Sequence, residues 1–165
     1  MARQAGRKKD AEQDVLDAPM ADARHIDFET IEQFFFAYRD FVSDPDQILA
    51  SSGFGRAHHR VVHFVNRYPG MTVADLLDTL QITKQSLSRV LKQLIDSGYI
   101  RQMAGHSDRR QRKLYPTLAG RELALALAEP QSRRIARALQ GMSGDERAVV
   151  RQFLAGMQNR EKEEA

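Results

Sequence analysis

Apolar residues recur at helical spacing through most of the chain, and where the spacing changes to alternation it does so once. In HIDFETIEQFFFAYRDFV, Ile31, Phe34, Phe35, Tyr38, Phe41 and Val42 fall on one helical stripe. Phe28 and Phe36 widen that stripe beyond what one amphipathic face requires, which predicts burial against a further surface. SDPDQILASSGFG interrupts the pattern with Pro45, Gly53 and Gly55. A second helix, RAHHRVVHFVNRY, ends at Pro69 and Gly70. Thr72 is placed to cap VADLLDTL, with Asp75 in its first turn where the helix dipole favours negative charge, and Thr83 is placed to cap the following helix.

Only Gln81 and Ile82 separate those two short helices before the Thr83 cap. A connection that tight between a helix carrying Val73, Leu76, Leu77 and Leu80 and one carrying Leu87, Val90, Leu91, Leu94 and Ile95 is the helix-turn-helix pattern. The second helix has a separate polar face of Lys84, Gln85, Ser86, Ser88, Arg89 and Lys92. Ser97 and Gly98 stop it, and YIRQM and RKLYP then alternate as two short strands around AGHSDRRQ, a β-hairpin with a polar tip. Beyond the hairpin, TLAGRELALALAEPQSRRIARAL predicts a long helix kinked or broken near Pro130. SGDERAVVRQFLAGMQNR predicts a last helix opened by a Ser143/Glu146 capping box.

Charge changes this picture by its distribution, not by its total. Between residues 84 and 121 nine cations face two anions, +7, and the net +3 of the whole chain leaves −4 elsewhere. A cationic hairpin repels itself unless a polyanion lies against it. Placed directly after a helix-turn-helix, it lets the helix enter a major groove of duplex DNA while an arginine at the hairpin tip reaches the neighbouring minor groove. A solvated basic loop, an RNA-binding protein and a non-specific nucleoid protein are the competing readings; against RNA, only Tyr99 and Tyr115 stand near the cations as stacking aromatics.

Other chemistry is limited by what the chain lacks. Without cysteine there are no disulfides, thiolate zinc sites or thiol switches. Phosphate-loop, nucleophile-elbow and HExxH motifs are absent, which argues against an enzyme and against a resident cofactor. No run approaches the ~18 apolar residues that span a bilayer, and no apolar stretch follows the basic N-terminus, so the expected location is the cytoplasm, at the nucleoid, with no membrane partner. His59 and His63 share a helix face at a spacing metal ligands use. Two ligands do not hold zinc, so a metal-responsive regulator is kept only as an alternative, beside plain packing.

The hairpin also carries a spaced motif. Asp108, Arg110, Leu114, Thr117 and Gly120 stand at the intervals of the wing motif of the MarR family of winged helix-turn-helix transcription regulators, and SRVLKQLIDSGYI resembles that family's recognition helix running into its first wing strand. Pro116 stands where the family commonly has leucine, and is expected to shorten the second wing strand. The resemblance implies a mainly α fold with a small β-wing. Its expected parts are a disordered tail over residues 1–24, an N-terminal dimerisation helix over 25–50, a winged helix-turn-helix over 54–117 and C-terminal dimerisation helices over 118–165.

The same resemblance implies roles. Gln85, Ser86, Ser88 and Arg89 approach base edges. Arg110 enters the minor groove, held by Asp108, with Arg109 and Arg112 beside it in the wing as phosphate contacts. Thr83, Lys84, Lys92, Arg101 and Lys113 contact phosphates. A homodimer reads a near-palindromic operator, usually to repress, and a small aromatic or anionic effector binds beside Phe28, Phe36, His59, Arg60 and His63.

Overall fold

A computed structural model describes residues 26–105 and 111–159. The expected disordered tail over 1–24 and the tip of the hairpin, Asp108, Arg109 and Arg110 included, lie outside the described residues. The described elements are α1 (Phe28–Ala50), α2 (Arg56–Arg67), α3 (Val73–Leu80), α4 (Lys84–Asp96), β1 (Ile100–Ala104), β2 (Arg112–Pro116), α5 (Leu118–Ala138) and α6 (Gly144–Gly156). The fold is a winged helix: mainly helical, with one small antiparallel sheet.

The chain forms two compact units, Met1–Tyr38 and Arg39–Ala165. In the first, α1 begins behind Asp27, whose carboxylate accepts the Thr30 N–H at 2.9 Å. That bond holds the Asp27 carboxyl below the usual carboxylate range. Ile31, Phe34, Phe35, Phe36 and Tyr38 are all exposed along this stretch.

The second unit holds the core. Val61, Val62 and Val65 of α2, Leu76 and Leu80 of α3, Leu87, Val90, Leu91 and Leu94 of α4, Ile100, Leu114 and Leu127 pack together with Leu49. α2, α3 and α4 each contribute the stripe that apolar spacing marks out, so the two periodicities, 3.6 in these helices and 2 in the strands, converge on one cluster.

α1 does not break where SDPDQ predicts. It runs through Pro45, which is buried, to Ala50. Proline lacks the N–H that would bond the carbonyl four residues back. That carbonyl belongs to Phe41, and Gln131, one of the few buried polar side chains, donates its Nε2 to it at 3.2 Å. A side chain from α5 thus replaces the missing backbone donor. Pro130 likewise lies inside α5, so of the kink or break expected there the break does not occur. The carbonyl it leaves unpaired is that of Ala126, an exposed residue, so water can satisfy it.

The sheet corrects one further expectation. β1 and β2 pair in antiparallel register from Ile100↔Pro116 to Ala104↔Arg112, so Pro116 does not shorten the strand. It occupies the last paired position, and the next donor in line is the Thr117 N–H, which bonds the Tyr99 carbonyl at 3.1 Å. The other edge of β2 is covered by a short stretch invisible to alternation: Gly70 N donates to Leu114 O, Leu114 N donates to Met71 O, and Thr72 bridges Lys113.

Candidate nucleic-acid interface

α4 is set by its two ends. Thr83 accepts the Ser86 N–H at 3.2 Å and caps the helix, while α3 closes on Gln81, held in the left-handed region at φ 49° with its N–H on Leu77 O. The turn between the helices is therefore as short as the sequence predicts. With Leu87, Val90, Leu91 and Leu94 buried, Lys84, Gln85, Ser88, Arg89 and Lys92 stand exposed and Ser86 is half-buried beneath the cap. Lys92 pairs with Asp96 one turn on. An exposed pair at that spacing holds its partner weakly, about 0.3–0.5 kcal/mol, so the ammonium remains available to a phosphate.

The hairpin root is fastened to both neighbours of the sheet. Thr117 caps α5 by accepting the Gly120 N–H at 3.0 Å, and its hydroxyl donates to Gly98 O at 2.6 Å, at the end of α4. Gly120 lies so close to the strand that a Cβ built there would stand 2.0 Å from the Tyr99 carbonyl oxygen. Leu114 is fully buried. The three rear positions of the spaced motif thus have structural work: anchor, cap and close approach. Arg101, Arg112 and Lys113 follow on the strands, the first two exposed and Lys113 half-buried.

Of the residues expected beside an effector, Phe28 and Phe36 belong to the first unit and His59, Arg60 and His63 to the second. His59 is half-buried and His63 exposed one turn further on α2, with Arg60 exposed between them; Phe28 is half-buried and Phe36 exposed on α1. Burial lowers the His59 imidazole below its ordinary range, His63 lowers it further, and Asp46 acts in the opposite sense. Burial and then Arg67 lower His63. His63 lines a cavity within the second unit, one of about 300 Å³ between α2 and α5 that it shares with Asn66, Arg67, Arg121, Ala124, Leu125 and Ala128. Sequence reading missed Asn66, Arg67 and Arg121. The spacing of 63, 66 and 67 on one helix face was the available signal. Among the described residues no three His, Cys, Asp or Glu side chains gather where a metal ion could be held.

Residues 52–111, from before α2 to the start of β2, match the family model of the MarR family. The HTH-type transcriptional regulator PetP of Rhodobacter capsulatus is 46% identical over 127 residues, covering 77% of this chain and 76% of that protein. The chain belongs to the MarR family. Membership makes it a transcriptional regulator and not an enzyme. MarR-type folds recur among solved structures. Streptococcus pneumoniae FabT, in complex with DNA, superposes with a TM-score of 0.66 at 19% identity, over 79% of this chain and 94% of its own. A MarR family regulator from Listeria monocytogenes complexed with 26mer DNA gives 0.65 at 19% identity, over 76% of this chain and 84% of that one. At those identities the likeness concerns the fold. Among the described residues no helix is long and apolar enough to cross a membrane.

Proposed function

We propose that this MarR family regulator binds duplex DNA sequence-specifically as a homodimer, at the nucleoid in the cytoplasm, and represses by occupying a near-palindromic operator. The observation that carries this reading is the exposed face of α4, where Gln85, Ser88 and Arg89 project beside a wing root clamped by Thr117 and Gly120. Amide and guanidinium groups on that face suit base edges in a major groove, with Ser86 at its border. Thr83, Lys84, Lys92, Arg101 and Lys113 flank it as phosphate contacts, and in the wing Arg110, held by Asp108, reaches the minor groove while Arg109 and Arg112 contact phosphates. The DNA-bound states of FabT and of the Listeria regulator support the same use of the fold.

Dimerisation is supported by exposed apolar surface. α6 buries no residue of its own, Val149, Phe153 and Leu154 are exposed on it and Met157 is exposed at its C-cap; in the other unit Phe34, Phe35 and Phe36 are exposed on α1. A two-fold dimer covering these faces reads half-sites about one helical turn apart.

Selection of bound fragments from random duplex DNA by the purified protein tests the reading. A single near-palindromic consensus is expected, with an affinity that falls steeply as salt rises. In gel shifts, Arg110→Ala should weaken every site alike, whereas changes at Gln85 or Arg89 should alter base preference. Pools that yield no consensus would defeat sequence-specific binding and favour a nucleoid or RNA-binding role.

An effector is the second reading, favoured by the cavity between α2 and α5. Its volume of about 300 Å³ suits a small molecule, and Arg67 and Arg121 beside apolar Ala124 and Leu125 suit an aromatic carboxylate. Such a ligand would act only by its differential affinity for DNA-competent and DNA-incompetent dimers. Calorimetry with aromatic carboxylates, repeated on Arg121→Ala, should show heat that the variant loses; no heat from either protein would remove this site.

A further inference from the structure

His58 lies under the recognition helix, and nothing in the DNA reading uses it. It is buried, at 8% exposure. A backbone N–H can only donate, so the contact of Gly55 N with His58 Nδ1 at 3.1 Å makes Nδ1 the acceptor. The ring proton then sits on Nε2, which donates to Gln93 Oε1 at 2.9 Å. One edge of the ring therefore caps the start of α2 and the other grips α4.

Gln93 is not an arbitrary point on α4. Residues 85, 89 and 93 are spaced four apart and share one stripe of the helix. The stripe carrying the proposed base-reading Gln85 and Arg89 thus ends on the residue that His58 holds. The face of the same ring stacks on Phe54, with centroids 4.5 Å apart and planes 10° apart. Phe54 in turn meets Tyr99 edge-on at 5.9 Å, and Tyr99 is the residue before β1 whose carbonyl receives the Thr117 N–H. One imidazole therefore touches, directly or through a single ring, the recognition helix, the wing root and α2.

We infer that His58 is a positioning residue for DNA recognition: through Gln93 it fixes the roll of α4 about its own axis, and through Phe54 and Tyr99 it ties that roll to the wing. The core of Leu87, Val90, Leu91 and Leu94 holds α4 in place by non-directional packing, which a small roll barely disturbs. A hydrogen bond is directional and loses strength steeply off axis. Base edges are read by directional bonds as well, whereas phosphates are held by long flexible cations. Loss of the His58 to Gln93 bond should therefore cost discrimination between sequences more than it costs DNA affinity in general.

The inference rests on the DNA reading, and two substitutions separate it from a purely structural role. In His58→Asn the shorter side chain can still accept the Gly55 N–H but no longer spans to α4. Gln93→Met keeps length and removes the acceptor at an exposed position, so it tests the same bond should the histidine variant fail to fold. Each variant is expected to lose roughly tenfold in affinity for the selected operator, with random duplex affected less than about twofold, and the double variant to be no worse than either single. Both measurements are made on the full chain beside its thermal unfolding curve. An unchanged ratio of operator to random-duplex affinity in both variants would overturn the inference and leave His58 as a helix cap. Failure of the unmodified chain to prefer any sequence would instead sink the DNA reading and carry this inference down with it.

Discussion

Gly120 shows how much a single residue fixes at the wing. Its Cα stands so near the Tyr99 carbonyl that any side chain would collide, and the opposing atom is backbone, which cannot swing aside. Asn66 also donates to the Gly120 carbonyl at 3.3 Å, tying α2 to the same point. Gly120→Ala is expected to cost about 1–3 kcal/mol, as overpacking does, and to shift the hairpin root. Thermal unfolding with hydrogen exchange at Tyr99 and Thr117 measures both. A second effect at this scale concerns His59, whose imidazole burial holds neutral to lower pH than in the unfolded chain. With the folded value depressed below the ordinary 6.5, the unfolded state takes up a proton first as pH falls. Stability is therefore complete above about 6.5 and declines below it until the folded value is reached. His59→Gln should flatten that slope in urea titrations run across this range.

Elements here are delimited by caps and repaired by side chains. Thr72, Thr83, Thr117 and Ser143 each accept an N–H at the start of a helix, and Thr72, Thr83 and Ser143 are readable from sequence because the capping residue precedes an apolar period. The prolines were not readable in the same way. Pro45 looks like a helix breaker until Gln131, 86 positions later, supplies the missing donor to Phe41. Gln131→Leu is expected to leave that carbonyl unsatisfied at a cost of about 1–3 kcal/mol, read from the midpoint of chemical denaturation. A midpoint unchanged by the substitution would show that α1 tolerates Pro45 unaided.

For the whole molecule, the decisive feature is apolar surface that the second unit does not cover. Phe153 and Leu154 are 49% and 47% exposed on a helix that buries nothing. If a second copy covers them, Phe153→Glu together with Leu154→Glu should turn a dimer into a folded monomer at micromolar concentration in sedimentation, with circular dichroism retained and operator affinity reduced. Two half-sites bound independently lose the advantage of linkage, a factor that reaches roughly a hundredfold or more. Retention of the dimer would place the two-fold contact elsewhere.

The sequence by itself determined the order of helices, the tight turn at Gln81 and Ile82, the paired strands and the polar face of α4, because each depends on contacts within a few residues and on a period that repeats. The spaced motif of Leu114, Thr117 and Gly120 was legible too, although not the reasons for it. Tertiary structure alone decided that α1 and α5 pass through their prolines, that Met71 and Thr72 extend the sheet, that His63 shares a cavity with Arg121, and that His58 meets Gln93. Those contacts join residues 35 to 90 positions apart in the cases of His58 with Gln93, His63 with Arg121 and Phe41 with Gln131. No local period records them, since the free energy of a single directional bond between distant segments leaves no repeating mark on the chain.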